Sequence, residues 1–164
     1  MSFYNSLSRG KTAEKATRTY LEVIKHATVT DVSNDPEYQS RDIDFVVTNS
    51  KGITRTVEVK NDTRIAQTGN IMVELCHERK TGTYQGWFNK CEAEALMYVC
   101  GDTIFSFKFP LLKLYMEQYG KHIKFSNGTD GCITHLLIAP LSDIEKEKDV
   151  LNAIYDLKEL KQYE

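Results

Sequence analysis

The chain of 164 residues is 41% hydrophobic, 27% charged and 10% aromatic, with a formal charge of −2, a globular balance that excludes a histone-like polycation. That length fits a single domain, 1–164, with a core large enough to fold without disulfide or metal staples. No apolar run reaches the roughly 18 residues of a membrane span, and the start, Met1-Ser2-Phe3-Tyr4-Asn5, lacks the basic and apolar stretches of a secretory signal, so the expected compartment is the cytoplasm.

Residues 12 to 27 place Ala13, Ala16, Tyr20, Val23, Ile24 and Ala27 at spacings of three and four, which predicts an amphipathic helix. Residues 33 to 40, with Pro36 inside, read as a loop. Residues 43 to 48 and 53 to 60 alternate with period two, as half-buried strands do, and Asn49-Ser50-Lys51-Gly52 between them supplies a hairpin turn. Residues 70 to 75 form a third alternating strand. Asn89 with Glu92 has capping-box spacing and predicts a helix through about residue 98. Residues 103 to 109 read as a strand, and Pro110 opens a helix that Gly120 ends. Residues 132 to 139 read as another strand. Ser142 with Glu145 caps a predicted final helix carrying Ile144, Leu151, Ile154, Leu157 and Leu160. No repeat, low-complexity tract or linker divides the chain. The expected class is α/β (α+β), one central mixed sheet flanked by helices.

Charge is unevenly spread. Residues 1 to 30 hold Arg9, Lys11, Lys15, Arg18 and Lys25 against Glu14 and Glu22, while residues 143 to 164 are acidic. A basic front suits a protein that meets a polyanion with one face, and it suits an ordinary solvated helix equally well. Cys76, Cys91, Cys100 and Cys132 include no C-x-x-C pair, which reads as free thiols in a reducing compartment. Gly10-Lys11-Thr12 imitates the end of a P-loop, but Asn5 stands where a glycine belongs and no strand precedes it. The four histidines show no metal-ligand spacing, and Cys76-His77 would point to opposite faces of a strand. Trp87, beside Phe88 and near Tyr84, could stack on bases or pack as a core aromatic.

The informative stretch is Arg41-Asp42-Ile43-Asp44-Phe45-Val46-Val47, followed after the turn by Val57-Glu58-Val59-Lys60. Alternation puts Ile43, Phe45 and Val47 on one face of the first strand and Asp44 on the other. In the second strand Val57 and Val59 share a face opposite Glu58 and Lys60. If Gly52 closes a three-residue loop in the left-handed conformation, Asn49 opposes Ile53 and Asp44 opposes Glu58, with Cβ atoms about 4.5–5.5 Å apart. Two carboxylates so close repel unless a cation sits between them, and a few oxygen ligands suit Mg²⁺, with Mn²⁺ as a substitute. Lys60, on the same face, could orient or deprotonate a water or neutralise phosphate charge. A surface hairpin with a cross-strand charge cluster would read similarly, but the apolar partner face argues for a core hairpin with acids at one edge.

Asp44, then Glu58-Val59-Lys60 ending the next strand after an amphipathic helix, resembles the PD-(D/E)XK nuclease superfamily. Residue 43 is Ile, where the family name has proline. The shared core of that superfamily, helix, three strands, helix, strand, matches the order expected from about residue 12 to 139. The resemblance implies a restriction-endonuclease-like core and a Mg²⁺-dependent nuclease that hydrolyses phosphodiester bonds in DNA, with a junction- or flap-specific endonuclease as one form. It implies metal ligation by Asp44, Glu58 and the Val59 carbonyl, with Asp42 a lesser candidate, and a catalytic role for Lys60. Glu14 is similar in placement to a first-helix glutamate of the Holliday-junction-resolvase branch; a pairing with Arg18 at i,i+4 is the plainer reading. Residues 69 to 75 with Gln85-Gly86-Trp87 and Lys90 to Glu94 are similar to small phage-encoded nucleases, which implies the cytoplasm of a bacterial or phage-infected cell. On that reading Glu74 borders the metal, and Lys90 is either accessory or paired with Glu94 within a helix. Lys11, Lys15 and Arg18, with Arg79 and Lys80, are the expected nucleic-acid contacts. A homodimer would supply the second site needed to cut two strands. A non-catalytic nucleic-acid-binding or interaction module on the same fold is the alternative.

Overall fold

The computed structural model describes residues 3–126 and 131–163, with side chains from Gly10 onward. Helix α1 (Phe3–Val23) begins well before the expected start at residue 12. Gly10 costs only about 1 kcal/mol inside a helix relative to alanine and does not end it. Ala13, Thr17, Tyr20 and Leu21 are its buried stripe. After β1 (Thr28–Asp31), the segment expected as a loop contains a short helix, α2 (Pro36–Gln39). Asp35 caps it by accepting the Glu37 amide, and Pro36 needs no amide partner in the first turn.

Strands β2 (Phe45–Thr48) and β3 (Thr54–Asn61) form the central hairpin, followed by α3 (Ile65–Thr68), β4 (Asn70–Arg79), β5 (Gly82–Gln85) and α4 (Trp87–Lys90). Next come β6 (Ala95–Cys100), β7 (Thr103–Lys108), α5 (Phe109–Tyr119), β8 (Lys121–Ser126), β9 (Ile133–Pro140), α6 (Leu141–Ile144), β10 (Leu151–Asp156) and a 3₁₀ segment, Leu157–Gln162. One sheet has the order β1-β2-β3-β6-β7-β10 and the other β5-β4-β9-β8. The first is mixed, because β3 and β6 run parallel while its other neighbours are antiparallel. The α/β class with a central mixed sheet and flanking helices is as expected.

Two apolar clusters cover the two faces of the six-stranded sheet. On one, Phe45, Val57, Val59 and Val99 pack against Ala13 and Tyr20 of α1. On the other, Leu96, Tyr98 and Phe107 meet Ile71 and Val73 of β4 and Leu112 and Met116 of α5.

Three expectations are corrected. The helix expected over 89–98 is only Trp87–Lys90, and Ala95–Cys100 is a strand. That strand is buried on both faces, so its apolar run carries no alternation to reveal it. The helix expected over 142–160 is one turn, Leu141–Ile144, followed by β10 and the 3₁₀ segment. There Leu151, Ala153 and Tyr155 form the half-buried side of an edge strand paired with β7. Strands β1, β5 and β8 carry too many polar residues to announce themselves, because each lies at a sheet edge.

Candidate active site

The β2–β3 turn forms as expected. Gly52 has φ +79°, its amide donates to the Asn49 carbonyl at 2.9 Å, and the Asn49 amide donates to the Ile53 carbonyl at 3.0 Å. The ladder runs from Thr48 opposite Thr54 to Phe45 opposite Val57, the register the turn predicts. There it breaks. The Asp44 amide donates to the Val57 carbonyl at 3.0 Å, one residue out of step, and Asp42 adopts φ +47°. Ile43 therefore does not share a face with Phe45 and Val47, as alternation suggested. It packs into the β4–α5 cluster while Phe45 faces α1.

This break brings the Asp44 side chain alongside β3, where its Oδ2 accepts the Val59 amide at 2.8 Å. Val57 and Val59 turn their backbone groups to the same side of β3, so beyond the end of β2 the Val59 carbonyl looks toward Asp44. Glu58 is only 3% exposed. Its Oε1 pairs with the Lys60 ammonium, while among the described residues the buried Oε2 meets no hydrogen-bond donor. Burial, reinforced by Asp44 and opposed by Lys60, pushes the Glu58 carboxyl up to about 8. Burial also raises Asp44, against the Val59 amide and Lys60. For Lys60 burial acts downward, but Glu58, Asp44 and Asp42 outweigh it and hold the ammonium above the ordinary lysine range. The ammonium lies 5.0 Å from the Trp87 ring centroid, and that ring stacks on Phe109 at 6.1 Å.

Asp44, Glu58 and Lys60 line a cavity of about 390 Å³ with Gly10, Glu14 and Arg64. Glu14 is thus brought to the carboxylate pair, and among the described residues it forms no ion pair with Arg18 or another cation; burial first, then Asp44 and Asp31, raise its carboxyl. Arg18 pairs with Glu22 at 2.9 Å. Asp42 and Lys11 border the same acids in an adjoining cavity. Lys11, Lys15 and Arg18 line a further groove leading away along α1. Lys90 reaches Asp42 at 3.1 Å, whereas Glu94 accepts the Thr56 amide at 3.0 Å and lies 3.4 Å from Arg55. The alternative of a Lys90–Glu94 pair within a helix is therefore corrected. Glu74 does not join the carboxylate pair. It lies on β4 across a second cavity that shares Lys60 and Arg64, 3.5 Å from the His77 ring. Arg79 ends β4, Lys80 follows it in the turn, and neither lines any of these cavities; the Arg79 guanidinium instead lies 5.7 Å from the Tyr84 ring. Cys76, Cys91 and Cys100 are free thiols among the described residues.

Sequence reasoning missed Arg64 and the role of Trp87 beside Lys60. Arg64 follows the carboxyl end of β3, which neighbours a parallel strand, and such ends are where open α/β sheets gather ligands. Among the described residues it has no carboxylate within ion-pair distance.

Among the described residues no three His, Cys, Asp or Glu side chains converge to hold a metal. The acids are a pair, and their fit to a cation rests on the orphaned Glu58 Oε2 beside a second carboxylate. An all-oxygen set of two carboxylates and a backbone carbonyl suits Mg²⁺ or Mn²⁺, which keep several waters.

No family model matches this chain, and no curated protein matches it. A solved structure, that of the bacterial homing endonuclease I-Ssp6803I, matches with a TM-score of 0.50 and 16% identity, covering 76% of this chain and 82% of that one. That likeness shows a shared α+β fold. Among the described residues no helix is long and apolar enough to cross a membrane.

Proposed function

We propose that this chain is a metal-dependent DNA nuclease of the PD-(D/E)XK type, with Asp44, Glu58 and Lys60 at its centre. The observation that carries the reading is Glu58. A carboxylate this buried, with one oxygen unpartnered and a second carboxylate adjacent, is costly unless a cation or proton occupies the gap. The shared fold with a bacterial homing endonuclease supports the same class of substrate.

Asp44, Glu58 and the Val59 carbonyl would hold Mg²⁺, or Mn²⁺ in its place. When bound, the ion supplies charge neutralisation at the scissile phosphate and acidification of a water. Lys60 remains protonated between Glu58 and the Trp87 face, so it serves as a hydrogen-bond donor to the attacking water or phosphate oxygen rather than as a base. Glu14, its carboxyl raised by burial and then by Asp44, accepts the proton released by the water. The water oxygen bonds to phosphorus as the bond to the 3′ oxygen breaks, and the departing 3′ oxygen takes a proton from a solvent water, leaving 5′-phosphate and 3′-hydroxyl ends. Lys11, Lys15, Arg18 and Arg64 hold flanking phosphates, and a second copy of the chain would serve the second strand.

The test is a cleavage assay with Mg²⁺ or Mn²⁺ across single-stranded, duplex, flap and four-way DNA, beside RNA controls. Metal-dependent cutting that Asp44→Asn abolishes supports the reading. Tight binding without cutting of any substrate favours the binding-module alternative.

A further inference from the structure

Past Lys60 the cleft opens into the second cavity, about 430 Å³, within the size range of small-molecule sites. Lys60, Trp87 and Tyr98 form one wall, and Met72, Leu136 and Phe125 belong to the other. The wall from the four-stranded sheet is continuous, since Glu74 opposes Leu136 and Phe125 opposes Thr134 on adjacent strands. Trp87 and Tyr98 do not offer a free ring face. Trp87 is stacked on Phe109 and faced by the Lys60 ammonium, and Tyr98 is buried. Phe125 differs. It is 47% exposed, at an edge strand that is otherwise mostly polar. Arg64 lines both this cavity and the one at the carboxylates, so a chain passing from one to the other runs beside its guanidinium.

We propose that this cavity receives one unpaired nucleobase from the strand being cut, with Phe125 stacking on the base and Arg64 holding the phosphate between it and the scissile bond. The inference rests on the nuclease reading above and narrows its substrate. A fully paired duplex keeps its bases stacked inward, whereas a bulge, flap or branch point can place one in an aromatic-lined recess at little unstacking cost. The lining also carries carboxylate and hydroxyl groups, those of Asp62, Glu74 and Thr134, which suit the polar edge of a base.

The experiment uses the full chain with Ca²⁺ in place of Mg²⁺ and fluorescence-anisotropy titrations of three duplexes. One is fully paired, one carries a single unpaired nucleotide, and one carries an abasic site at the same bulge. The base-containing bulge should bind roughly tenfold more tightly than the abasic bulge, in line with the cost of losing one base–aromatic stack. It should also quench the emission of Trp87, the single tryptophan. Phe125→Ala should bring that ratio to about one and Phe125→Trp should retain it; the exposed position makes folding of both variants checkable by circular dichroism. Equal affinity for the two bulges overturns the inference while leaving the nuclease reading in place, and so does a ratio unchanged in Phe125→Ala. A free deoxynucleoside monophosphate that quenches Trp87 at the same concentration as the bulged duplex overturns the assignment to a strand. Absence of binding to all three duplexes removes the nuclease reading, and this inference with it.

Discussion

The Val59 amide donates to the Asp44 carboxylate at 2.8 Å, so the acid that follows the ladder break is tied to the strand carrying Glu58. Replacing Asp44 with alanine would leave that amide unsatisfied, at a cost of about 1–3 kcal/mol. Asp44→Asn keeps an acceptor and removes the repulsion with Glu58. Urea unfolding should therefore show Asp44→Ala destabilised and Asp44→Asn as stable as the parent or more so. Both should lack cleavage. Equal stability of the two variants would dismiss the hydrogen bond as an anchor.

Glu58 gives a pH signature. Its carboxyl is raised by burial to about 8 in the folded chain, from an ordinary 4.5, so between those values the folded state holds a proton that the unfolded state has released. Stability from this group therefore falls as pH rises from about 4.5 to 8. Thermal melts of Glu58→Gln should lose that slope. Because a cation competes with the same proton, the rise in melting temperature produced by Mg²⁺ should be larger at pH 8 than at pH 6.

Lys60 and Glu14 separate binding from chemistry. Lys60→Met should lower the cleavage rate by roughly 10²–10³-fold, the usual effect of losing a donor aimed at developing charge. It should leave stabilisation by Mg²⁺ intact, as read in the same melts. Glu14→Gln should cost roughly 10²–10⁴-fold in rate and flatten the acid limb of the pH–rate profile. Full activity in Glu14→Gln would move the proton acceptor elsewhere.

Lys11, Lys15 and Arg64 have no ion-pair partner among the described residues. Each replaced by glutamine should reduce the salt slope of duplex binding by about 0.9 if it contacts one phosphate. Arg79→Gln, on a residue that lines none of these cavities, should change it by much less. A slope equally sensitive to Arg79 would place the DNA across the four-stranded sheet.

Gly86 fixes the aromatic wall behind Lys60. A Cβ there would collide with the Glu74 carbonyl oxygen, a backbone atom that cannot swing aside. Gly86→Ala should cost about 1–3 kcal/mol in denaturant unfolding and lower activity by displacing Trp87 from Lys60. Wild-type stability in this variant would show the β4–α4 contact to be slack.

The sequence by itself determined the hairpin. Turn chemistry at Asn49 and Gly52 sets its register, and the period of two separates Val57 and Val59 from Glu58 and Lys60, because both are local properties of the backbone. For Glu14 the spacing favoured a pairing with Arg18, and only the packing of the first helix against the sheet brings it to the acids. The tertiary structure decided the rest. Only the ladder break at Asp44 sends Ile43 and Phe45 into different cores, and only parallel pairing with β3 shows Ala95–Cys100 to be a strand. A residue buried on both faces of a sheet has no polar side to betray its period. Arg64 and Trp87 meet Lys60 across loops and a second sheet, and such contacts are set by how layers stack, which no spacing along the chain encodes.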